Sequence, residues 1–435
     1  MTLDAGMPPG QQARVESSAE SGTASSPKPG WPGPLGGVKV VDLTRVLAGP
    51  FMTQLLGDLG ADIYKIETPG TGDETRAFAP HVGGESHYFL GFNRHKKSLV
   101  IDLKTPEGID LVRGLVAQAD VLVENFRPGV MARLGLDYET LAKLNPRLVY
   151  CAISGFGMTG PLRDKPSFDI VTQAMSGALS VNGELGREPV KLGLPLGDMV
   201  GGIFGSIGVL SALHERGTTG RGRLVDISLH DGMLGMLGYL AQIFFVTGQD
   251  PKPVGTNHPN IAPYGGFPAS DGVIIIACLV QGFWGRLCAT LGCPELEHDA
   301  RFASAAVRVK HREELNGLIS AITRTRSVAD WVATLSANDV PHAPILSVGQ
   351  ALNHPHSLAR EMVVAVEHPS AGTIRMVGRP IKFPGMTQTP LAPPPLLGQH
   401  TAQVLAQQLG LDDQMIEQLR KDGVIDRITA MAKAR

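Results

Sequence analysis

Three aspartates stand where a carboxylate could do chemistry in this 435-residue chain. Asp169 lies among apolar residues at the start of a helical pattern, where an acid acts either as a helix N-cap or as a nucleophile. Asp198 and Asp231 have similar apolar surroundings. The residue pattern alone therefore leaves the choice among the three acids open.

Basic residues are concentrated in two segments that would suit an anionic ligand. The segment Asn93–Lys97 precedes a strand, whereas Asn125–Arg127 follows one, with Arg133 a little further on. Arg and Lys pair with phosphate oxygens, and open α/β sheets bind ligands beyond the carboxyl ends of their strands. A solvated loop is the alternative for the first segment. Together the two segments predict a nucleotide-like anionic ligand.

Several common enzyme signatures are missing from the sequence. The first βα turn lacks GxGxxG, and neither GxxxxGK[ST] nor GxSxG occurs. A classical dinucleotide site, a P-loop and a nucleophile-elbow serine hydrolase are therefore disfavoured. The glycines between residues 201 and 208 fall in an apolar helical run, where they predict close helix packing.

Composition narrows the class of protein further. The formal net charge of −2 gives no global basic field for nucleic acid or an anionic membrane. The four cysteines form no CxxC pair, which predicts reduced, buried thiols and no metal site. The apolar runs Met199–Leu213 and Gly232–Val246 are shorter than the ~20 residues of a membrane span. Residues 1–36 lack the apolar core of a secretory signal and predict a disordered tail on a cytoplasmic protein.

Strand and helix patterns alternate through the first half of the chain. Strands are predicted near residues 38–43, 62–67, 99–103, 121–124 and 148–153, with helical patterns at 51–59 and 106–118. This alternation predicts an α/β fold with a mostly parallel sheet covered by helices. Residues 249–263, rich in Pro, Gly and Asn, mark a boundary to a smaller region of strands and helices.

A series of segments in a fixed order then identifies a family. The segments are Gly37–Pro50, Leu59–Asp62, Lys65–Glu67, Asn93–Ser98, Asp102–Lys104, Pro106–Gly108, Val123–Gly129, Gly155–Gly157, Gly160–Pro161, Thr219–Gly222 and Leu396–Thr401. They resemble the class III CoA-transferases, the CaiB/BaiF family, from about residue 36 almost to the C-terminus.

The resemblance implies an interlocked homodimer and a division of the chain. Residues 37–230 would form a large Rossmann-like domain that binds CoA, and 231–345 a linker helix and a smaller α+β domain. Residues 346–435 would return to the large domain. The substrates would be an acyl-CoA and a small carboxylic acid, with no tightly bound cofactor.

The resemblance also assigns roles to individual residues. Asp169 matches the family's catalytic aspartate. The resemblance therefore makes Asp169 the preferred candidate of the three acids. Contacts to CoA are expected from Leu47, Ala48, Thr68, Asn93, Arg94, His95, Asn125, Phe126, Arg127 and Arg133. Thr68 departs from the family pattern, since relatives often have Arg at this position.

Two departures from the family's oxalate-handling members bear on the acceptor acid. Leu47 replaces a Gln, and the segment Gly255–Asn260 is not Gly-rich. The chain therefore resembles members that use succinyl-CoA with a short dicarboxylic acid, or a sulfinate isostere of one. An α-methylacyl-CoA racemase is the alternative within the family, although residues 137–145 lack the expected His. A silent CoA-binding subunit is a further alternative, but it would have lost Asp169.

Overall fold

The computed structural model describes residues 33–384, 386 and 389–426 of the chain. The predicted disordered tail therefore lies outside the described residues, apart from positions 33–36. The strands are β1 (Lys39–Asp42), β2 (Asp62–Glu67), β3 (His81–Val82), β4 (Glu85–Ser86), β5 (Lys96–Val100), β6 (Val121–Glu124), β7 (Val149–Ser154), β8 (Leu224–Ser228), β9 (Tyr264–Pro268), β10 (Val273–Ala277), β11 (His342–Pro344), β12 (Val363–His368) and β13 (Gly372–Val377). The helices are α1 (Ala48–Asp58), α2 (His87–Phe92), α3 (Pro106–Ala117), α4 (Val130–Leu134), α5 (Tyr138–Leu144), α6 (Asp169–Met175), α7 (Leu196–Thr219), α8 (Leu229–Met236), α9 (Tyr239–Thr247), α10 (Gln281–Leu291), α11 (Ala305–Lys310), α12 (Arg312–Thr323), α13 (Val328–Ala337), α14 (Val348–Leu352), α15 (Pro355–Ala359), α16 (Thr401–Leu409) and α17 (Asp413–Lys421).

A six-stranded parallel sheet in the order β5-β2-β1-β6-β7-β8 organises the first half of the chain. The central strands β6 and β7 are mainly apolar because helices cover both faces of the sheet. From β1 the chain adds strands outward on one side, and from β6 it adds them on the other. The strand order therefore reverses between β1 and β6, where a ligand crevice is expected. The predicted mixed α/β architecture with a parallel sheet is confirmed.

Each face of this sheet has its own apolar core. On one face α1 and α7 bury Met52, Leu56 and Val209 against the strands. On the other face α3 and α5 pack together with the C-terminal helices α16 and α17, which contribute Val404 and Ile416. The last part of the chain thus packs on the large sheet. The domain boundaries given above remain predictions.

Helix α7 is longer than the apolar run from which it was predicted. By length and composition it could cross a membrane, and the bent pair of α8 and α9 passes the same test. However, Gly202 and Gly205 let α7 lie directly on α1. A Cβ at Gly202 would come within 2.8 Å of the Ala48 carbonyl oxygen, and one at Gly205 within 2.7 Å of the Met52 sulfur. This contact fits a core helix and the predicted close helix packing.

A third apolar core lies between residues 262 and 340. The antiparallel strands β9, β10 and β11 form a small sheet, and α10 to α13 bury Trp284 and Trp331 with it. Three of the four cysteines belong to this core, and all four are free and buried as predicted. A separate hairpin of β12 and β13 follows.

Buried ion pairs support the loop that follows β1. The Lys65 ammonium lies 3.0 Å from an Asp73 carboxylate oxygen and donates to the Thr44 carbonyl oxygen at 2.8 Å. The Lys96 ammonium lies 3.2 Å from Asp42, and all four charged side chains have no exposed surface. Burial acts to raise the pKa of Asp42, but the charges of Lys96 and Lys65 outweigh it and lower this pKa to about 2.

We predict that Lys65→Met destabilises the fold strongly. The substitution removes a charge from between two buried carboxylates, and such a loss costs about 3–5 kcal/mol. The free energy of unfolding, measured by urea denaturation, reports it.

Lys97→Met is the matched control. Lys97 pairs with Asp62 at 2.8 Å, but the two side chains are 34% and 49% exposed. Exposed pairs contribute about 0–1 kcal/mol. Equal losses in the two variants would show that the buried network does not support the fold as described.

Candidate active site

A cleft of about 470 Å³ opens beyond the carboxyl ends of β1 and β6, where the strand order reverses. Its walls come from the loops after β1, β6 and β7 and from the first turn of α7. The lining residues are Arg45, Val46, Leu47, Ala48, Glu74, Phe78, Asn125, Phe126, Arg127, Pro128, Ile153, Ser154, Gly155, Arg163, Lys165, Pro166, Ser167, Phe168, Asp198 and Leu229.

The loop after β1 is held in a strained conformation at the cleft. Val46 has a φ of 68°, in the left-handed region that a β-branched residue rarely adopts. Its N–H donates to the buried Asp73 at 3.3 Å. Asn125, from the loop after β6, bonds both the N–H and the carbonyl of Arg45, at 2.9 and 2.7 Å. The two loops are therefore fixed to one another across the switch point.

Asp169 opens α6 but does not cap it. The N-cap residue is Phe168, and its side chain is 70% exposed and makes no capping bond. The Asp169 side chain turns inward instead and is only 9% exposed. The helix-cap alternative for this residue is therefore wrong.

Both oxygens of the Asp169 carboxylate accept a hydrogen bond. The Gly197 N–H, in the first turn of α7, donates to Oδ1 at 2.8 Å. The Gln173 amide donates to Oδ2 at 2.7 Å, while its own oxygen accepts from the Leu192 N–H at 3.1 Å. A Cβ at position 197 would come within 3.1 Å of Oδ1, so glycine there keeps the close approach open. The carboxylate is thus oriented by two hydrogen-bond donors.

Asp198 lies beside this carboxylate and faces the cleft. Burial raises the pKa of Asp198, and the charge of Asp169 adds to the effect, bringing it to about 7. Asp231, the third acid considered, has a 78% exposed side chain and pairs with His230 at 3.4 Å. The structure therefore brings together two of the three candidate acids.

Five of the ten expected CoA-contact residues line the cleft: Leu47, Ala48, Asn125, Phe126 and Arg127. Thr68 lines a neighbouring cavity of about 200 Å³, which shares Arg45 and Phe126 with the cleft and also has Lys104 in its wall. Arg133 is exposed in the last turn of α4 and lines neither space.

Asn93, Arg94 and His95 are not brought to the cleft. Arg94 is 3% exposed and forms a two-bond ion pair with Asp58, at 2.7 and 2.6 Å. His95 lies beside the same acid and contacts Arg379 at 2.9 Å, and Asn93 bonds Lys96 and the Phe89 carbonyl. These residues join α1 to the segment after β13. In this structure all three side chains are engaged within the fold, and their role as CoA contacts stays a prediction.

Other site residues were missed by sequence reasoning. Gln173 and Gly197 orient the Asp169 carboxylate, and Arg163, Lys165 and Lys104 add positive charge around the two cavities. Gln173 follows Asp169 by one helical turn, which was a readable signal for contact. Gly197 and Lys104 are distant in sequence, and their proximity depends on the fold. Among the described residues, no group of His, Cys, Asp or Glu side chains could hold a metal ion.

We predict that Asp198 carries a proton below about pH 7 and loses it above, because its pKa is raised. Infrared difference spectra between pH 6 and pH 8 would show the carbonyl stretch of a neutral carboxylic acid disappearing. The substitution Asp198→Asn removes the Asp198 signal. Burial also raises the pKa of Glu124 to about 7, so the Glu124 carboxyl contributes the same signal in both proteins. Identical difference spectra would contradict the assignment.

Comparison with known proteins identifies the family of this chain. The model of CoA-transferase family III matches residues 35–401. A human protein named succinyl-CoA:glutarate CoA-transferase is 35% identical over 91% of this chain and 90% of its own length. A succinate–glutarate CoA-transferase from Agrobacterium fabrum is 41% identical over 86% of this chain and 95% of its own length.

An acetyl-CoA:oxalate CoA-transferase from Acetobacter aceti is also 41% identical, over 83% of this chain and 91% of its own length. Among solved structures, a CaiB/BaiF family protein from Brucella suis superposes with a TM-score of 0.78. It is 40% identical and covers 86% of this chain and 99% of its own. The resemblance to class III CoA-transferases that the series of sequence segments indicates is confirmed: the chain belongs to CoA-transferase family III and is a CoA-transferase.

Proposed function

We propose that this CoA-transferase moves CoA from succinyl-CoA to a short dicarboxylic acid, or to a sulfinate isostere of one, with Asp169 as the covalent nucleophile. The observation that carries the proposal is the Asp169 carboxylate, inward-facing and held by two donors next to the cleft. A carboxylate needs no base to attack, because an ordinary Asp is an anion at neutral pH.

The proposed reaction proceeds through two enzyme-bound species. Asp169 attacks the thioester carbonyl, which forms a mixed anhydride and releases the sulfur of CoA. The sulfur then attacks the Asp169 carbonyl, giving an aspartyl-CoA thioester and the free donor acid. The acceptor acid repeats these steps in reverse order. Covalent catalysis divides one difficult exchange into easier steps, and the Gly197 N–H and Gln173 amide remain close to the Asp169 oxygens throughout.

The two cavities supply a path for the rest of CoA. The pantetheine arm would run along Leu47 and Ala48 toward Asp169, and the nucleotide end would reach the cavity lined by Thr68 and Lys104. The Arg45 guanidinium lies 4.8 Å from the centre of the Phe126 ring at the boundary of the two spaces. Positive side chains there suit the CoA phosphates, since guanidinium and ammonium groups pair with phosphate oxygens.

The relatives' names support a dicarboxylate acceptor, since two of them name glutarate. Leu47 and the Gly255–Asn260 segment argue against oxalate, but the oxalate-named relative makes oxalate a necessary member of any acceptor panel. We propose a succinyl donor and a glutarate-like acceptor as the first pair to assay.

We predict a covalent adduct on Asp169. Incubation with succinyl-CoA, followed by hydroxylamine or borohydride trapping and peptide mapping, should modify Asp169 in the wild type and nothing in Asp169→Asn. The matched control Asp231→Asn changes an exposed acid and should form the adduct normally.

A different result would favour the racemase alternative. Deuterium uptake at the α-carbon of a branched acyl-CoA, with no adduct and no CoA exchange, would contradict the transferase mechanism. Racemisation needs two bases flanking the acidic carbon.

We propose a homodimer on the basis of exposed apolar surface around α7 and α9. No residue of α9 is buried, and Phe245 and Val246 are 74% and 75% exposed. Ile203, Phe204 and Ile207 of α7 are exposed by 39–53%. Apolar side chains gathered in this way mark a protein interface.

We predict that Val246→Arg weakens the dimer, because an unpaired cation would be buried in the interface. Analytical ultracentrifugation across a dilution series measures the dissociation. Val348→Arg is the control, since Val348 is equally exposed at 76% but lies on α14. A monomeric wild type, or equal weakening in both variants, would argue against this interface.

A further inference from the structure

The carboxyl of Asp198 is an acidic group near Asp169 that the proposed mechanism does not use. Asp198 is the third residue of α7 and lines the cleft along with Leu47 and Ala48. The residue before it, Gly197, donates its N–H to Asp169 Oδ1 at 2.8 Å. Asp198 therefore lines the cleft directly beside the residue that binds Asp169, where the thioester would react.

The surroundings of the two acids are unequal. Asp169 accepts two hydrogen bonds, from Gly197 and Gln173. Among the residues that the structure describes, none donates a hydrogen bond to the Asp198 carboxyl or forms an ion pair with it. When environments separate two neighbouring acids in this way, one holds the charge and the other holds the proton.

Other charged groups of the cleft do not reverse this assignment. The cleft is also lined by the charged residues Arg45, Glu74, Arg127, Arg163 and Lys165. Burial and the charges of Asp198 and Asp169 raise the pKa of Tyr88, on α2, to about 12. The pKa of Asp198 is raised to about 7 by burial and by the charge of Asp169 on α6. Asp198 can therefore exchange a proton near neutral pH.

We propose that Asp198 is the acid–base group for the sulfur of CoA. The proposal rests on the proposed covalent function of Asp169. A thiol such as that of CoA has an ordinary pKa of about 8.5 or above, so a thiolate leaving the thioester would take a proton from a neutral carboxyl beside it. Without that donor, the negative charge that Asp169 gives up on acylation would stay on the sulfur.

The proton balances in each half-reaction. As Asp169 attacks, its oxygen bonds to the acyl carbon, the carbon–sulfur bond breaks, and the sulfur takes the proton of Asp198. The Asp198 carboxylate then removes that proton as the sulfur attacks the Asp169 carbonyl, and the donor acid leaves as a carboxylate. Asp198 ends neutral, ready for the acceptor to drive the same two transfers again.

A structural role is the competing explanation, because an acid in the first turn stabilises a helix through its dipole. Asp231 offers a matched comparison. It is likewise the third residue of its helix, α8, but its side chain is exposed. A helix-dipole role would affect both acids similarly, whereas an acid–base role belongs to Asp198 alone.

The test is the steady-state kinetics of Asp198→Asn, Asp198→Glu and Asp231→Asn with succinyl-CoA and glutarate. We expect Asp198→Asn to lower kcat about 100-fold or more, the usual contribution of general acid–base catalysis. Its KM for succinyl-CoA and its thermal unfolding midpoint should stay close to wild type. Asp198→Glu should recover part of kcat, and Asp231→Asn should keep all of it.

The pH profile supplies a reading that a structural role would not change. The wild type should lose kcat/KM as pH rises through about 7, because Asp198 loses its proton, and this limb should be absent from Asp198→Asn. Near-wild-type kcat with an unchanged profile in Asp198→Asn would overturn the proposal. That outcome is distinct from failure of the covalent function, in which the wild type would transfer CoA without forming an adduct on Asp169.

Discussion

The Asp169 carboxylate is fixed by hydrogen bonds from two separate helices, and the chemistry of the cleft depends on that fixation. Gln173 donates from α6 and Gly197 from the first turn of α7. The position of α7 depends in turn on its glycines, which let it lie directly on α1. A nucleophile held in its reactive orientation has already lost the freedom that reaction would otherwise remove. The packing of α7 on α1 therefore determines the orientation of the Asp169 carboxylate.

Buried ion pairs fix the loop after β1, which forms one wall of the cleft. Lys65 and Lys96 are bonded to the carbonyls of Thr44 and Pro50, at the two ends of the loop that carries Leu47 and Ala48. Their charges are balanced by Asp42 and Asp73, so the loop rests on a neutralised and fully buried network. The strained Val46 is tolerated because this network and Asn125 determine the conformation around it. Such a rigid wall favours a long ligand threaded between two fixed loops.

Sequence reasoning predicted the fold better than the contacts within it. Strands near residues 121–124 and 148–153 were readable because parallel strands buried on both faces form apolar runs. For the basic segment Asn93–His95, residue type does not reveal that Asp58, more than 30 positions earlier, pairs with Arg94. Asp169 could be chosen over Asp198 and Asp231 only through the family resemblance. The different hydrogen bonding of Asp169 and Asp198 follows from donors placed by tertiary packing, which no local pattern encodes.

The central claim is that Asp169 itself becomes acylated during CoA transfer, and oxygen labelling tests it most directly. The enzyme would turn over succinyl-CoA with glutarate labelled by ¹⁸O in both carboxyl groups, and the peptide containing Asp169 would then be weighed. The anhydride route passes one acceptor oxygen to the Asp169 carboxyl, and a further turnover passes it on to succinate. One or two ¹⁸O atoms in that peptide, since either Asp169 oxygen can attack in later turnovers, and labelled succinate are the predicted result. Transfer of CoA with no label in Asp169 would contradict the account.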